Sequence, residues 1–185
     1  PLYDNRNPPL LLNASAVGFY ANSDSEQHES KPLSITQPNF SQSLVNLWET
    51  QARSCETVGA KVSCLRFGVV LGKEGGILKK LLPSFRFGLG ALIGNGHTHL
   101  SWIHIEDLCR AITHIINQKN IQPAYNLTSP KPCTQRQFAN SIAKACGMPR
   151  LLKLSPWLIK KLFGEMGEQI MLANNNITPK HLQDS

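Results

Sequence analysis

The stretch Pro9-Leu10-Leu11-Leu12-Asn13-Ala14-Ser15 decides the fold class of this chain. It is a short, continuous apolar run that ends in small polar residues. This pattern is typical of a strand that is buried on both faces of a parallel sheet. Because ligands collect at the carboxyl ends of such strands, we expect the end at Ala14 and Ser15 to face a binding crevice.

A helix and a second strand follow this first strand. From Phe40 the apolar residues recur at helical spacing up to Gly59, which suits the end of a helix. Residues 61–70 form the next apolar run and predict another strand. Strand, helix and strand together predict a parallel crossover unit, so the architecture is α/β. The polar stretch 22–38 between them has no periodicity and is predicted to be a surface loop.

Helices and short strands alternate through the rest of the chain. The patterns predict helices at 77–85, 105–116, 134–146 and 155–173, strands at 97–104 and 124–128, and a glycine-rich stretch at 88–96. The segment Gly88–Gly94 approaches a dinucleotide-binding fingerprint. Its spacing fails by one residue, however, and it follows a helix rather than a strand, so we interpret it as a loop on the substrate side.

Composition limits the class of protein. The 185 residues, 41% of them hydrophobic, suffice for one domain with a real core. No apolar run approaches the roughly 20 residues needed to cross a bilayer, and no leader is apparent, so we expect a cytoplasmic protein without a membrane partner. The net charge of +7 comes from scattered basic residues that do not alternate with aromatic ones. A small ligand that carries phosphate is therefore favoured over nucleic acid.

Metal ligands are not apparent in the sequence. The cysteines are five in number, widely scattered and without a C-x-x-C pair, which predicts reduced thiols rather than disulfides or zinc ligands. His97 and His99 share one face of the predicted strand, but no third ligand lies near them. We therefore predict no metal site.

Four segments carry a specific resemblance to a known family. They are Ser15-Ala-Val-Gly-Phe-Tyr20, Leu47-Trp-Glu49, Leu65-Arg-Phe-Gly-Val-Val-Leu-Gly72 and Ser101-Trp-Ile-His-Ile-Glu-Asp-Leu108. In this order they closely resemble the atypical extended short-chain dehydrogenases known as epimerase family proteins, sometimes labelled cell-division inhibitors. Similar residues at 131–132, 138 and 163–166 extend the resemblance over nearly the whole chain.

The resemblance implies a Rossmann-type parallel sheet with a smaller C-terminal substrate-binding subdomain. Residues 1–72 would form the later part of the NAD(P)-binding domain. Residues 73–185 would be mainly substrate-side, with sheet elements returning around 97–128. Family members begin with a glycine-rich turn that holds the cofactor pyrophosphate, and they extend past this chain's end. We therefore expect both segments to be missing here, and this chain alone to bind NADP or NAD weakly or not at all.

The cofactor residues implied by the resemblance lie at two strand ends. They are Ala14, Ser15, Arg66, Phe67, Gly68 and Val69. The segment 67–70 resembles the backbone that borders the nicotinamide in extended members. Arg66 lies within an apolar strand and needs an anionic or carbonyl partner, so a structural and a ligand-linked role are both open.

The substrate-side residues implied by the resemblance are Trp102 and His104. They fall at the family's junction between the cofactor and substrate subdomains. Packing for Trp102 and a structural role for His104 are the alternatives.

The catalytic pair of standard short-chain dehydrogenases is absent from this chain. None of the three tyrosines is followed by a lysine four residues later. On the family register the tyrosine and lysine positions fall at Phe40 and Leu44, both expected to face inward and unable to transfer a proton. If the protein is an enzyme, Ser15 and Tyr20 are the candidate catalytic residues, with aromatic packing as the alternative for Tyr20.

The function implied is that of an NAD(P)-binding epimerase, dehydratase or reductase-like protein. Its substrate would be a small molecule, either a carbonyl compound or a nucleotide sugar. The alternative is a non-catalytic nucleotide-binding or regulatory protein that retains the fold. The missing tyrosine and lysine favour that alternative, whereas the polar residues at the strand ends favour an enzyme.

Overall fold

The computed structural model describes residues 8–31, 38–93, 95–148, 152–154 and 173–185. The strands are β1 (Leu10–Ala16), β2 (Ser23–Gln27), β3 (Lys61–Phe67), β4 (Val69–Leu71), β5 (Ala91–Ile93), β6 (His99–Leu100), β7 (Trp102–His104), β8 (Ala124–Leu127), β9 (Cys133–Thr134), β10 (Leu152–Leu154) and β11 (Asn175–Ile177). The helices are α1 (Phe40–Arg53), α2 (Gly76–Arg86), α3 (Ile105–Ile116), α4 (Gln135–Ala145) and a short α5 (Lys180–Gln183).

A parallel sheet of three strands organises the fold, in the order β1-β3-β8. The central strand β3 is buried from Val62 to Arg66, whereas the leucines of the edge strand β1 are only half-buried. In register, Ser15 lies beside Arg66, and Arg66 lies beside Asn126. The predicted α/β class is confirmed.

The helix α1 begins at Phe40, as the sequence predicts, but its α-helical part ends at Arg53, before the predicted end at Gly59. Asn39 caps its first turn, and Gln42 completes a reciprocal capping box that satisfies two backbone N–H groups. After Arg53 a 3-10 turn, Ser54–Val58, leads to Gly59, whose φ of 89° lies in the left-handed region that glycine tolerates. The helix packs against β1 and β3.

The main hydrophobic cluster joins the sheet to α3. Its buried members are Leu65, Ile103, Leu108, Ile115, Tyr125 and Leu127. On α3 the two buried positions, Leu108 and Ile115, are seven residues apart and therefore lie on one face of the helix. A second cluster packs α2, β5 and α4 together through Phe85, Leu92, Ala139, Ile142 and Ala143. The two clusters share no residue.

The segment 174–181 is held against β2, which precedes it by about 150 residues. Its strand β11 pairs with β2 in parallel, and Asn174 N donates to Asn22 Oδ1 across a sequence separation of 152 residues. Glu29 joins this segment to the sheet. One of its carboxylate oxygens accepts from Asn126 N at 2.6 Å and the other from Lys180 N at 3.1 Å.

Several elements differ from the sequence-based predictions. The loop predicted at 22–38 contains β2, whose residues are all polar and whose three central residues are exposed; it pairs with β11 in a two-stranded ribbon. The glycine-rich stretch 88–96 contains β5, which pairs with β10. The strand predicted at 97–104 is divided into β6 and β7. The helical segment predicted at 155–173 lies almost wholly outside the described residues.

Candidate cofactor and active site

The candidate site lies at the carboxyl ends of β1 and β3, beside the first turns of α1. The structure brings Ala14 and Ser15 of β1 next to Leu65 and Arg66 of β3. Ala14 is exposed and Ser15 is buried. Because parallel strands end at the same edge of a sheet, the residues that the resemblance implies for the cofactor on β1 lie next to those at the end of β3.

A buried ion pair lies beneath this edge. Arg66 donates from Nε and Nη2 to the two carboxylate oxygens of Glu49, at 2.8 and 2.9 Å. The guanidinium carbon also lies 3.4 Å from the centre of the Phe19 ring. Burial acts to lower the pKa of Arg66, but hydrogen bonds and charge from Glu49, with help from Tyr20, outweigh it, so the pKa is raised. The charged form of Arg66 is therefore secured by Glu49.

Ser15 shares the same carboxylate. Its hydroxyl donates to Glu49 Oε1 at 2.7 Å, and both residues are buried. The hydroxyl hydrogen of Ser15 is therefore directed into the protein, and only its oxygen lone pairs remain to receive another donor.

Tyr20 is engaged on both sides of its hydroxyl. It donates to Asn126 Oδ1 at 2.9 Å and accepts from Arg66 Nη1 at 3.0 Å. The residue is only 3% exposed. Burial raises the pKa of Tyr20, although the charge of Arg66 acts in the opposite direction. A proton shuttle near neutral pH needs a lowered phenol pKa, so this geometry favours the packing alternative for Tyr20.

The segment after β3 passes close to its neighbours. Gly68 N donates to Leu127 O at 3.1 Å, and Val69 N donates to Ser101 O at 2.9 Å. A Cβ at Gly68 would lie 2.8 Å from Ser101 O and 3.0 Å from Thr128 Cγ2. Glycine is therefore required at this position by close backbone approach.

The two substrate-side candidates lie on β7, the strand that pairs with β4. Trp102 is the register partner of Val69, and His104 is the partner of Leu71. His104 is exposed and caps α3, because its Nδ1 accepts from Glu106 N at 3.3 Å. Trp102 is half-buried, and its Nε1 is buried without a hydrogen-bond partner among the described residues.

The expectation that Phe40 faces inward is wrong. The buried positions of α1 are Gln42, Val45, Glu49 and Ala52. Phe40 is 70% exposed and Leu44 is half-buried. Apolar periodicity chose the wrong face, because the inward face of α1 carries two polar residues and its outer face carries apolar ones.

Glu49 and Asn126 are the site residues that sequence reasoning missed. A signal for Glu49 was present, since an arginine within an apolar strand requires an acidic partner and Glu49 is the sole acid in α1. Asn126 had no such signal, because a buried amide in a short strand has no characteristic pattern. Within the described residues, no group of three or more His, Cys, Asp or Glu side chains could hold a metal ion. No helix in the described part of the chain is long and apolar enough to cross a membrane.

Comparisons with known proteins agree with this geometry. A model of the NAD dependent epimerase/dehydratase family matches residues 3–128. An epimerase family protein of Mycobacterium bovis is 36% identical over 173 residues, which are 94% of this chain and 57% of that protein. Epimerase family protein YfhF of Bacillus subtilis is 32% identical, covering 94% of this chain and 56% of its own length.

Solved structures give the same assignment. The human epimerase family protein SDR39U1 (isoform 2), crystallised with NADPH, superimposes with a TM-score of 0.85 at 29% identity, over 96% of this chain and 59% of that one. UDP-glucose 4-epimerase of Thermus thermophilus in complex with NAD, at 16% identity and a TM-score of 0.69, shares the fold. This chain spans less than two thirds of the length of these relatives. By sequence and by fold, the chain belongs to the NAD dependent epimerase/dehydratase family.

Proposed function

We propose that the protein carrying this chain binds NADP(H) or NAD(H) at the carboxyl ends of β1 and β3. It acts as a reductase, epimerase or dehydratase-like enzyme on a small carbonyl compound or nucleotide sugar. The observation that carries this proposal is the polar edge where Ser15 lies beside Arg66 and the neighbouring Ala14 is accessible. The NADPH in the human relative's crystal structure favours NADP(H) over NAD(H).

The residues at this edge divide into two roles. Ala14, Phe67, Gly68 and Val69 border the nicotinamide with small or backbone groups. Ser15 presents an oxygen whose own hydrogen is held by the protein. A bound nicotinamide supplies hydride transfer, whereas this chain's residues orient the ligands and exclude water.

Arg66 acts on the cofactor edge indirectly. Its Nε, Nη1 and Nη2 atoms already donate to Glu49 and Tyr20. Its proposed role is therefore the structural alternative, in which Arg66 fixes the carboxylate that orients Ser15.

We also propose that the chain divides near residue 72. The hydrophobic cluster that includes Leu65 joins the sheet to α3, whereas α2, β5 and α4 pack around Phe85 and Leu92. Residues 1–72 would then serve the cofactor. Residues 73–185 would mainly serve the substrate, with β6, β7, α3 and β8 returning to the sheet and Trp102 and His104 near the boundary.

Isothermal titration of the full-length protein with NADPH, NADP⁺ and NADH tests the cofactor assignment. We expect micromolar binding of NADPH. Ala14→Leu places a branched side chain at the accessible strand end and should weaken binding by about tenfold or more, equivalent to about 1.4 kcal/mol. Ala145→Leu makes the same change at an exposed position of α4 and is the matched control. Failure to bind any of the three nucleotides at millimolar concentration would overturn the proposal.

A non-catalytic nucleotide-binding protein is the second candidate. The engaged hydroxyl of Tyr20, together with the absent Tyr-Lys pair, favours it. Oxidation of NADPH in the presence of carbonyl compounds and nucleotide sugars separates the two candidates. Turnover of any such substrate supports the enzyme, whereas tight binding of NADPH without turnover across the series supports the regulatory protein.

A further inference from the structure

One buried donor in the candidate site has no acceptor among the described residues. The indole Nε1 of Trp102 is shielded from solvent and makes no hydrogen bond there. A buried donor left without a partner destabilises the folded state, so a folded protein retains one where something else supplies the acceptor. Buried tryptophan N–H groups ordinarily do find a partner.

Two of the other buried atoms without a partner have a simpler explanation. His28 can carry its hydrogen on the other ring nitrogen, and the hydroxyl of Ser63 can rotate toward a different acceptor. The indole N–H has neither freedom, because its hydrogen is fixed in the plane of the ring. The side-chain amide of Gln42 is fixed as well, because its Oε1 accepts from Asn39 N, so Gln42 Nε2 and Trp102 Nε1 both keep a requirement for an acceptor. Of these two donors, Trp102 is the one that lies on β7 beside Val69.

The position of Trp102 relates this donor to the proposed ligand. In the parallel pair of β4 and β7, Trp102 is the register partner of Val69, so the two side chains lie on the same face. The neighbouring Ile103 points the other way, into the cluster with α3. Trp102 thus lies beside the residue assigned to the nicotinamide border, on the face away from the main core.

We propose that the Nε1–H of Trp102 donates a hydrogen bond to an oxygen of the ligand bound beside Val69. This inference rests on the proposed function. The oxygen belongs either to the carboxamide of the nicotinamide or to the phosphate or sugar of the substrate. Trp102 is in that case a ligand-orienting residue and has a role beyond packing.

Titration of the Trp102→Phe variant of the full-length protein with NADPH and, separately, with uridine diphosphate tests this inference, with the full-length wild type as the reference. Phenylalanine keeps an aromatic ring and removes the donor. We expect a three- to tenfold loss of affinity, about 0.7 to 1.4 kcal/mol, for the ligand that supplies the acceptor. Trp48→Phe is the matched control, because Trp48 lies half-exposed on the outer side of α1. A loss confined to NADPH identifies the cofactor as the source of the acceptor oxygen, and a loss confined to uridine diphosphate identifies the substrate's diphosphate.

A measurement on intact Trp102 covers the case in which the variant folds poorly. In the full-length protein labelled with ¹⁵N-tryptophan, replacing each of the other tryptophans in turn by phenylalanine, Trp48 and Trp157 among them, assigns the indole signal of Trp102. We expect the Trp102 Nε1–H signal to move downfield and to exchange more slowly when the ligand binds. If NADPH binds while this signal and the Trp102→Phe affinity stay unchanged for both ligands, the inference is overturned and the proposed function stands. If the wild type binds neither ligand, both are overturned.

Discussion

The carboxylate of Glu49 meets the guanidinium of Arg66 in a two-point hydrogen-bonded pair within the protein. A third donor, the hydroxyl of Ser15, uses the same carboxylate. The polar edge of the sheet thus depends on one acidic residue of α1, and the stability of the fold and the orientation of Ser15 are coupled through it.

Removing one partner of this pair should be strongly destabilising. We expect Glu49→Ala to lower the free energy of unfolding by about 3 to 5 kcal/mol, because it leaves a buried guanidinium without its counter-charge. Urea denaturation followed by circular dichroism measures the change. The double variant Glu49→Leu with Arg66→Met should recover much of it. Glu56→Gln, which breaks the more exposed pair with Arg53, should change stability by about 1 kcal/mol at most. Equal effects at the two pairs would contradict this account.

Tyr20→Phe should act on stability rather than on proton transfer. The change leaves Arg66 Nη1 and Asn126 Oδ1 without their partner, so we expect a loss of about 1 to 3 kcal/mol. NADPH affinity and any turnover should stay near the wild-type values. Tyr125→Phe, which removes a hydroxyl bonded to Gln118, is the control for the loss of a tyrosine hydroxyl elsewhere. A fall in turnover of about 10²-fold or more at unchanged stability would restore Tyr20 as a general acid.

The loss of folding stability at alkaline pH should depend in part on Tyr20. Burial raises the pKa of Tyr20 in the folded protein above its ordinary value, with Arg66 opposing. The unfolded chain then loses this proton first as the pH rises. The stabilisation is fully present below about pH 10 and is lost as the pH rises through the folded value. Denaturation at increasing pH should show a steeper loss in the wild type than in Tyr20→Phe. If the free energy of unfolding falls equally with pH in the wild type and in Tyr20→Phe, Tyr20 does not contribute to the loss of stability at high pH.

Gly68→Ala should disturb the segment that follows β3. The added Cβ would lie 2.8 Å from the backbone oxygen of Ser101, which cannot move without shifting the strand. We expect a loss of about 1 to 3 kcal/mol in stability and weaker NADPH binding. Gly75→Ala is the matched control, because nothing lies within 4 Å of its Cβ position, and it should change stability by about 0.5 kcal/mol or less. A neutral Gly68→Ala would show that the segment adjusts freely.

Apolar patterns predicted the buried half of this fold well. β1, β3, α3 and β8 follow from runs and helical spacing, because each buries a mainly apolar surface. β2 escaped prediction because all five of its residues are polar, so it has no apolar pattern, and its partner strand comes from the other end of the chain. The inward face of α1 was misjudged for a related reason, since Gln42 and Glu49 serve polar partners there.

The candidate site likewise contains residues that the sequence predicted and residues that it did not. Ser15 and Arg66 were found because a strand end and a charged residue in an apolar run are visible locally. Their common partner Glu49 lies 34 residues from Ser15, and Asn126 lies 106 residues from Tyr20. Local sequence patterns do not show which distant side chains meet. Which distant side chains meet is determined by the packing of α1 and β8 against the central strand β3.

The pairing of β2 with β11 sets an order for folding. Asn22 and Asn174 are 152 positions apart, so β2 leaves the ribosome long before its partner exists. At about 5 to 20 residues per second, that interval lasts roughly 8 to 30 seconds. During it, β2 has no strand to pair with and Glu29 has no Lys180 N–H to accept from. The central sheet can assemble as the chain emerges, whereas β2 acquires its native pairing only after segment 174–181 has been synthesised, which leaves nascent β2 open to chaperones and proteases until then.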